Sequence, residues 1–219
     1  GNIAHNNTIL TALYDLLKDL PNVNRVENVS VSVIKEADES IDVQTDSGLS
    51  LTASLVVGSD GSMSSIRSLS SIPIRTWSYE QTAIVTLLES EIAIKDTAYQ
   101  IFTRTGPIAI LPVRVEGEEL VSLIWSADKA YADKLLTSEP SEFLRELKLK
   151  TESKLGSFKI REEISSFPLH QLHVKEYFSN RTVLVGDSAH TIHPLAGQGL
   201  NLGLSDAIDL SERILLLRR

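Results

Sequence analysis

The sequence predicts an α/β (α+β) protein in which a parallel-sheet domain is interrupted by a mostly antiparallel domain. Two short apolar runs, Leu55–Val57 and Thr182–Val185, each lead into a glycine-bearing loop, as buried strands of a parallel sheet do. Between them, the stretch from 72 to 126 alternates apolar and polar residues and contains repeated turn signals, which is typical of antiparallel strands. Ligands of such folds bind at the carboxyl ends of the buried strands, so the two loops are the first candidates for a site.

The first third of the chain predicts a helix, a meander and a buried strand. Apolar residues recur at helical spacing over Thr8–Leu20 and Pro21 follows, so we expect a helix with one buried face. Alternating apolar residues over 29–43, followed by a turn at 46–48, predict a small antiparallel meander. The run Leu55–Val57 is continuously apolar, and we expect it to be buried on both faces.

The rest of the chain predicts an antiparallel sheet followed by helices and a second buried strand. Turn residues at 105–107 and 116–118 separate the alternating segments. Pro140 and Ser141 indicate the start of a helix over Glu139–Leu155, and a last helix is expected from about Leu200. The predicted antiparallel strands are 82–88, 98–103, 108–113 and 120–125.

Composition limits the classes of function. The net charge is -8 and the basic residues are scattered, which argues against nucleic-acid binding. The chain has no cysteine, which excludes disulfides, thiolate metal sites and cysteine nucleophiles. Its apolar runs are far shorter than the roughly 20 residues that a helix needs to span a bilayer.

The loop after the first buried strand has the residues of a strand-to-helix turn. Gly58 and Gly61 allow a tight turn. Asp60 and Ser64 can cap a short helix, with Arg67 near its N-terminus. A helix N-terminus beside an arginine suits an anionic group. An ordinary structural turn is the alternative, and this stretch alone favours it.

The loop after the second buried strand predicts a ligand with a sugar-like chain and a flat ring. Asp187 stands at the strand end, where a carboxylate can accept hydrogen bonds from the hydroxyls of a ribityl chain. Gly197 and Gly199 let the backbone come close to a flat ring. A helix beginning at Leu200–Asn201 would direct N–H groups with partial positive charge toward that ring. Such a helix stabilises the negative charge that a reduced flavin carries on its pyrimidine ring.

Two other interpretations of this loop are weaker. Gly197, Gly199 and Gly203 loosely imitate the dinucleotide-binding fingerprint, but the last gap is one residue too long. His190 and His193 could bind a metal with the carboxylate before them, yet no further ligand-rich segment is nearby, so packing or hydrogen bonding is favoured. The same holds for the two histidines at 170 and 173.

Taken together, the two loops resemble the class A FAD-dependent monooxygenases, and among them the ubiquinone-biosynthesis hydroxylases. The segment His193–Asn201 carries the part of the family's Gly-Asp motif that is most particular to this subgroup. The loop at 58–67 matches the family's Asp-Gly motif at Asp60, Gly61, Ser64 and Arg67. Two further segments, 106–112 and 167–169, extend the resemblance over nearly the whole chain.

The resemblance implies FAD as the cofactor, NAD(P)H and O2 as co-substrates, and hydroxylation of an aromatic ring through a flavin C4a-hydroperoxide. The implied substrate is a polyprenylated phenol on the route to ubiquinone. The protein would orient the ring and exclude water, so no catalytic side chain and no metal are expected. The implied cofactor-binding residues are Asp60, Gly61, Arg67, Asp187, Pro194, Gly197, Gln198, Gly199, Leu200 and Asn201. The implied substrate-wall residues are Phe102, Ile110 and Pro112.

The sequence also departs from the family pattern. Ser59 and Ser188 stand where alanine is usual, and Asn7 and Ile101 stand where arginine occurs, which puts polar contacts there in doubt. The family's N-terminal Gly-x-Gly-x-x-Gly segment, which holds the ADP end of FAD, is not found in the sequence. We therefore expect a piece truncated at both ends that binds FAD weakly or not at all and does not turn over.

The predicted domains follow from the resemblance: a partial FAD-binding domain over 1–71, an antiparallel substrate-binding domain with a helix over 72–166, and a return to the FAD-binding domain over 167–219. Three alternatives to the ubiquinone function stay open: hydroxylation of a soluble aromatic, a flavin reductase, and a non-catalytic scaffold. A greasy substrate implies a biosynthetic complex or contact with a membrane surface. We expect a cytoplasmic protein. A finer expectation is peripheral association with the inner membrane, or with the matrix side of the mitochondrial membrane if the protein is eukaryotic.

Overall fold

The chain divides into two compact units. A computed structural model describes residues 3–217, apart from the side chain of Ala196; residues 1–2 and 218–219, which belong to the predicted outer domains, lie outside the described part. The antiparallel unit comprises Gly1–Asn24 and Glu80–Leu169, and the motif unit comprises Arg25–Tyr79 and His170–Arg219. The predicted domains had grouped the first helix with the residues that follow it; their functional labels stay predictions.

The described residues form a mixed α/β structure, as predicted. Short 3-10 turns at Gly186–Ser188 and Leu195–Gly197 follow the last buried strand. The helices are α1 (Asn6–Lys18), α2 (Ser65–Leu69), α3 (Lys129–Thr137), α4 (Pro140–Lys150) and α5 (Gln198–Leu217). The strands are β1 (Val31–Glu36), β2 (Ile41–Thr45), β3 (Ser50–Ala53), β4 (Val56–Gly58), β5 (Ile74–Ser90), β6 (Tyr99–Thr103), β7 (Gly106–Val115), β8 (Glu118–Asp128), β9 (Phe158–Ile160), β10 (Ser165–Val174), β11 (Phe178–Ser179), β12 (Thr182–Leu184) and β13 (His190–Thr191).

The antiparallel unit is a sheet with its core on one face. Strands β5, β8, β7 and β6 lie in that order, all antiparallel, and β9 pairs with β5. Alternate residues of these strands pack with α3 and α4, so burial of that face holds the unit together. The core residues are Ile84, Leu88, Ile94, Ile108, Ile110, Val121, Leu123, Trp125, Ala127, Ala132, Leu135, Phe143, Leu147, Leu155 and Phe158.

The helices of this unit differ from the prediction in three ways. Helix α3 was missed, because only Ala132 and Leu135 of its nine residues are buried and the apolar pattern is correspondingly thin. Helix α4 ends at Lys150 rather than near 155, because Glu152 and Ser153 adopt positive φ angles that a helix cannot contain. Helix α1 forms close to its predicted bounds.

The prediction that one face of α1 is buried was wrong. None of its residues is buried, and Leu13 and Leu16 are exposed. Amphipathic spacing identifies the face of a helix that can be buried, whereas the presence of a surface to cover it is a property of tertiary structure. No helix in the described part of the chain combines the length and apolar character that crossing a membrane requires.

The motif unit contains the predicted meander and the predicted parallel pair. Strands β1, β2 and β3 are antiparallel neighbours. Strand β12 pairs in parallel with β4, so that Val183 lies opposite Val57 and Leu184 opposite Gly58. The prediction that the first of these strands is buried on both faces was wrong, because Val57 and Leu55 are exposed. The parallel pairing brings the two glycine-bearing loops to the same edge, as the sequence predicted.

Candidate functional site

The two loops leave the parallel pair side by side and are joined by buried contacts. A Cβ atom on Gly58 would lie 2.6 Å from the side chain of Leu184 and 2.9 Å from that of Ile66, so any larger residue here would displace buried side chains. The hydroxyl of Ser188 donates to the backbone oxygen of Gly58 across 2.6 Å and shares its proton with that of Val185 at 2.8 Å. The two loops therefore form one structural unit.

The first loop is a capped helix start. Asp60 accepts hydrogen bonds from the Ser64 hydroxyl (2.5 Å) and from the backbone N–H of Ile66 (3.1 Å). The Ser64 hydroxyl oxygen in turn accepts from the N–H of Arg67 across 3.0 Å, which confirms the predicted capping of α2. Gly61 has a φ of 80° with open space beside its Cα, so its backbone is accessible.

Arg67 is engaged inside the protein. Its side chain is buried, with 7% of the residue exposed. Nη1 donates to the backbone oxygen of Ser188 and Nη2 to that of Ser62, both across 2.8 Å. The observed role of Arg67 is therefore to join the two loops, and direct contact with a ligand stays a prediction.

Asp187 occupies the exposed tip of the second loop. It lies in the turn Gly186–Ser188, which begins with Gly186 at a φ of 63°. The structure gives the Asp187 carboxylate no hydrogen-bond partner among the described residues, while its backbone oxygen accepts from the Thr191 hydroxyl across 3.3 Å. A carboxylate in this position can accept hydrogen bonds from the hydroxyls of a ligand.

Helix α5 holds this turn through a residue that the sequence analysis missed. Asp206 Oδ2 accepts from the backbone N–H of Gly186 across 2.8 Å and from Nε2 of His190 across 2.6 Å. A Cβ on Gly203 would lie 3.1 Å from the Cα of Gly186, so the turn packs directly on the helix backbone. Gly203 and Asp206 share a helix face because they are three residues apart, and that spacing was the available signal.

The backbone at the start of α5 is open. Gly197 has a φ of 61°, and a Cβ at Gly197 or Gly199 would meet no atom within 4 Å. The first residues of α5 are mostly exposed, and the Asn201 amide donates to the backbone oxygen of Gly197 across 3.4 Å. Free backbone and a helix N-terminus thus coincide, as the sequence predicted. The other residues expected to line a ring here, Pro194, Gln198 and Leu200, range from half-buried to exposed.

The histidines of the motif unit make packing contacts. The ring of His193 lies edge-on to Tyr79, with centroids 5.1 Å apart, and burial lowers the pKa of His193. Nδ1 of His173 bonds to the backbone oxygen of Val174, and its ring contacts Tyr177. The described residues contain no group of three or more His, Cys, Asp or Glu side chains placed to hold a metal ion.

The three residues expected in the substrate wall do not share one surface. Phe102 is 75% exposed on β6, whereas Ile110 on β7 is fully buried in the core with α3 and α4. Strand alternation explains the difference, because Ile110 pairs with Tyr99 on the core face and Phe102 pairs with Pro107 on the other. Ile110 is therefore corrected to a core residue. Pro112 is half-buried and lines a cavity of about 860 Å³ together with residues that include Ile94 and Leu120.

Curated relatives match over nearly the whole chain. The 3-demethoxyubiquinol 3-hydroxylase of Escherichia coli is 32% identical over 94% of this chain and 52% of its own length. The ubiquinone hydroxylase UbiL of Rhodospirillum rubrum is 32% identical over 100% of this chain and 50% of its own length. A mitochondrial ubiquinone biosynthesis monooxygenase of Drosophila melanogaster is 30% identical over 97% of this chain. The chain spans about half the length of these relatives.

Solved structures are similar to this chain in fold, and a family model matches its sequence. A PqsL variant from P. aeruginosa superposes with a TM-score of 0.85 at 20% identity, covering 99% of this chain and 61% of that one. The p-nitrophenol 4-monooxygenase PnpA from Pseudomonas putida gives 0.78 at 21% identity, covering 96% and 54%. Both share the fold of this chain. The model of the FAD binding domain matches residues 21–218. Because that match covers far more than half of the 219 residues, the chain belongs to the FAD binding domain family.

Proposed function

We propose that the full-length protein is an FAD-dependent monooxygenase that hydroxylates an aromatic ring, using NAD(P)H and O2. A polyprenylated phenol in ubiquinone biosynthesis is the proposed substrate, and the names of the relatives that are 30–32% identical support this choice. One observation carries the proposal: the open backbone at Gly197 and Gly199 lies at the N-terminus of α5, in the unit that also presents the exposed carboxylate of Asp187.

The described residues fit a flavin with a ribityl chain. Asp187 would bind the ribityl hydroxyls, because its carboxylate is exposed and only accepts hydrogen bonds. The backbone of Gly197 and Gly199 would lie against the flat ring, since no side chain occupies that space. Asp60 already accepts two hydrogen bonds within its own loop, so it would hold Gly61 and the start of α2 in place near the pyrophosphate instead of binding it directly.

When bound, the flavin supplies the redox chemistry, accepting electrons from NAD(P)H and activating O2 for transfer to the ring. The residues of this chain bind, orient and shield. The first N–H groups of α5 carry partial positive charge, which stabilises negative charge on the ring edge that they face. This stabilisation would need no ionisable side chain.

The substrate wall is proposed on the face of the antiparallel sheet opposite its core. The register places Phe102 beside Pro107 and Ala109 beside Ile124 on that face. Apart from Phe102, these side chains are half-buried, and Leu111 follows Ala109 on the same face. A flat apolar face suits an aromatic ring with a hydrocarbon tail. The tail would also require a membrane surface or a partner in a biosynthetic complex, at the inner membrane or the matrix side of mitochondria.

Purification of the full-length protein with FAD tests the proposal. We expect bound flavin and NAD(P)H oxidation that a prenylated phenol stimulates and a small phenol does not, with oxygen from labelled O2 in the product. Equal stimulation by small phenols would favour a hydroxylase of soluble aromatics. NAD(P)H oxidation without hydroxylated product would favour a flavin reductase, and a protein without flavin would favour a scaffold.

A further inference from the structure

No hydrogen bond from the described part of the chain holds the side chain of Asp187 in place. Its carboxylate is exposed, and the structure gives it no hydrogen-bond partner among the described residues. The direction of its Cα–Cβ bond, and hence the space that the carboxylate can reach, depends on the backbone of the turn Gly186–Ser188. That turn begins at Gly186 with a φ of 63°, a left-handed conformation that glycine adopts without strain.

Asp206 supports the turn on both sides of Asp187. One of its oxygens, Oδ2, accepts from the N–H of Gly186, the residue before Asp187. The same oxygen accepts from Nε2 of His190, three residues after Asp187. Both hydrogen bonds are charge-assisted, because their acceptor is a carboxylate. The side chain of Asp206 is 23% exposed and that of His190 is 8% exposed, so the bonds are shielded from water.

A carboxylate stabilises this arrangement more than an amide would. Its negative charge strengthens both hydrogen bonds, whereas an asparagine oxygen would accept the same two donors as weaker, neutral bonds and would place an NH2 group beside them. The contact between Gly203 and Gly186 leaves no space for the turn to shift toward the helix. The side chain of His190 is further enclosed by Tyr177, whose ring centroid lies 6.0 Å away.

We propose that Asp206 is a positioning residue for the flavin: it clamps Gly186 and His190 and thereby aims Asp187 at the ribityl chain. The inference rests on the proposed role of Asp187 in FAD binding. Asp206 itself touches no ligand in this scheme, and its effect on affinity passes entirely through Asp187. Neither residue needs to exchange a proton for this role.

A double-mutant cycle in the full-length protein tests the proposal. The variants are Asp206→Asn, Asp187→Asn and the double variant, with Asp209→Asn, an exposed carboxylate on the same helix, as the matched control. FAD affinity is measured by fluorescence quenching and folding by urea denaturation of the flavin-free protein. We expect each single substitution at 206 or 187 to weaken FAD binding by roughly tenfold, and the double variant to bind no more weakly than the weaker single variant. Asp209→Asn should bind FAD as the unaltered protein does.

The proposal would be overturned if the fold-losses of FAD affinity in the two single variants multiplied in the double variant, because Asp206 would then act independently of Asp187. Unchanged affinity in Asp206→Asn would overturn it as well. If Asp206→Asn does not fold, His190→Ala, which removes one donor and keeps the carboxylate, replaces it, and its loss of affinity must likewise disappear in the Asp187→Asn background. If the unaltered protein binds no FAD, the proposed function fails and this inference fails with it.

Discussion

The guanidinium of Arg67 donates a hydrogen bond to the backbone oxygen of Ser188 across 2.8 Å. This contact joins the loop after β4 to the loop after β12, which are 121 residues apart in the sequence. A second donor of the same side chain bonds to Ser62, so one buried cation fixes both loops. Loss of this cation should destabilise both loops, because among the described contacts no other cationic side chain of either loop bonds to the opposite loop.

We expect Arg67→Lys to lower the free energy of unfolding by about 2–4 kcal/mol, because an ammonium group cannot reach both carbonyl oxygens in the geometry of the guanidinium fork. Urea denaturation of the flavin-free protein measures this change. Arg75→Lys is the matched control, since Arg75 is exposed and should change stability by less than about 0.5 kcal/mol. Equal effects of the two substitutions would contradict the linking role of Arg67.

Alanine at two glycines of α5 should change stability in opposite directions and weaken FAD binding at both. Gly203→Ala places a Cβ 3.1 Å from the backbone of Gly186, so we expect both lower stability and weaker FAD binding. Gly199→Ala meets no atom of the protein and should stabilise the flavin-free protein by up to about 1 kcal/mol through helix propensity. It should nevertheless weaken FAD binding, because the methyl group fills the space proposed for the ring. Thermal unfolding and flavin titration of both variants check this, and loss of stability in Gly199→Ala would argue against an open site.

Local spacing predicted much of this site, and long-range geometry accounts for what it missed. Asp60 and Ser64 were identified as caps because a cap and its helix are neighbours in sequence. The partners of Arg67 and Asp206 were not foreseen, since each bond depends on how a distant loop or helix packs.

The same distinction applies to the sheet. The alternation of β7 was visible in the sequence, but which face of it lies against helices was not, so Ile110 was assigned to the substrate wall although it is a core residue. The exposed apolar face of α1 is the converse case, because its pattern was predicted correctly and its burial was not.

Tyr131 provides a pH-dependent test of the antiparallel unit. Its hydroxyl donates to Glu146 across 3.0 Å, which links α3 to α4. Burial, followed by this hydrogen bond and the charge of Glu146, raises the pKa of Tyr131 from 10.0 to about 12. A raised pKa means that the folded state favours the protonated phenol. The resulting stabilisation is therefore complete below a pH of 10.0 and is lost as the pH rises through about 12.

We expect Glu146→Gln to lower the pKa of Tyr131, because it removes the neighbouring negative charge. Tyr131→Phe should remove the phenolate absorbance that appears near pH 12. Ultraviolet absorbance titration of the folded protein measures both effects. An unchanged titration curve in Glu146→Gln would show that the hydrogen bond between α3 and α4 does not form in solution.

Two substitutions test which face of the antiparallel sheet is the core and which is the proposed substrate wall. Ile110→Ala removes a fully buried side chain from the core, so we expect a loss of about 2–5 kcal/mol in the free energy of unfolding. Phe102→Ala removes a side chain that is 75% exposed and should change stability by less than about 1 kcal/mol. If Phe102 forms part of the substrate wall, its loss should raise KM for the prenylated phenol while the affinity for FAD stays constant. Because burial of Ile110 prevents contact with any substrate, a change in KM without a change in stability in Ile110→Ala would mean that the two faces have been assigned the wrong way round.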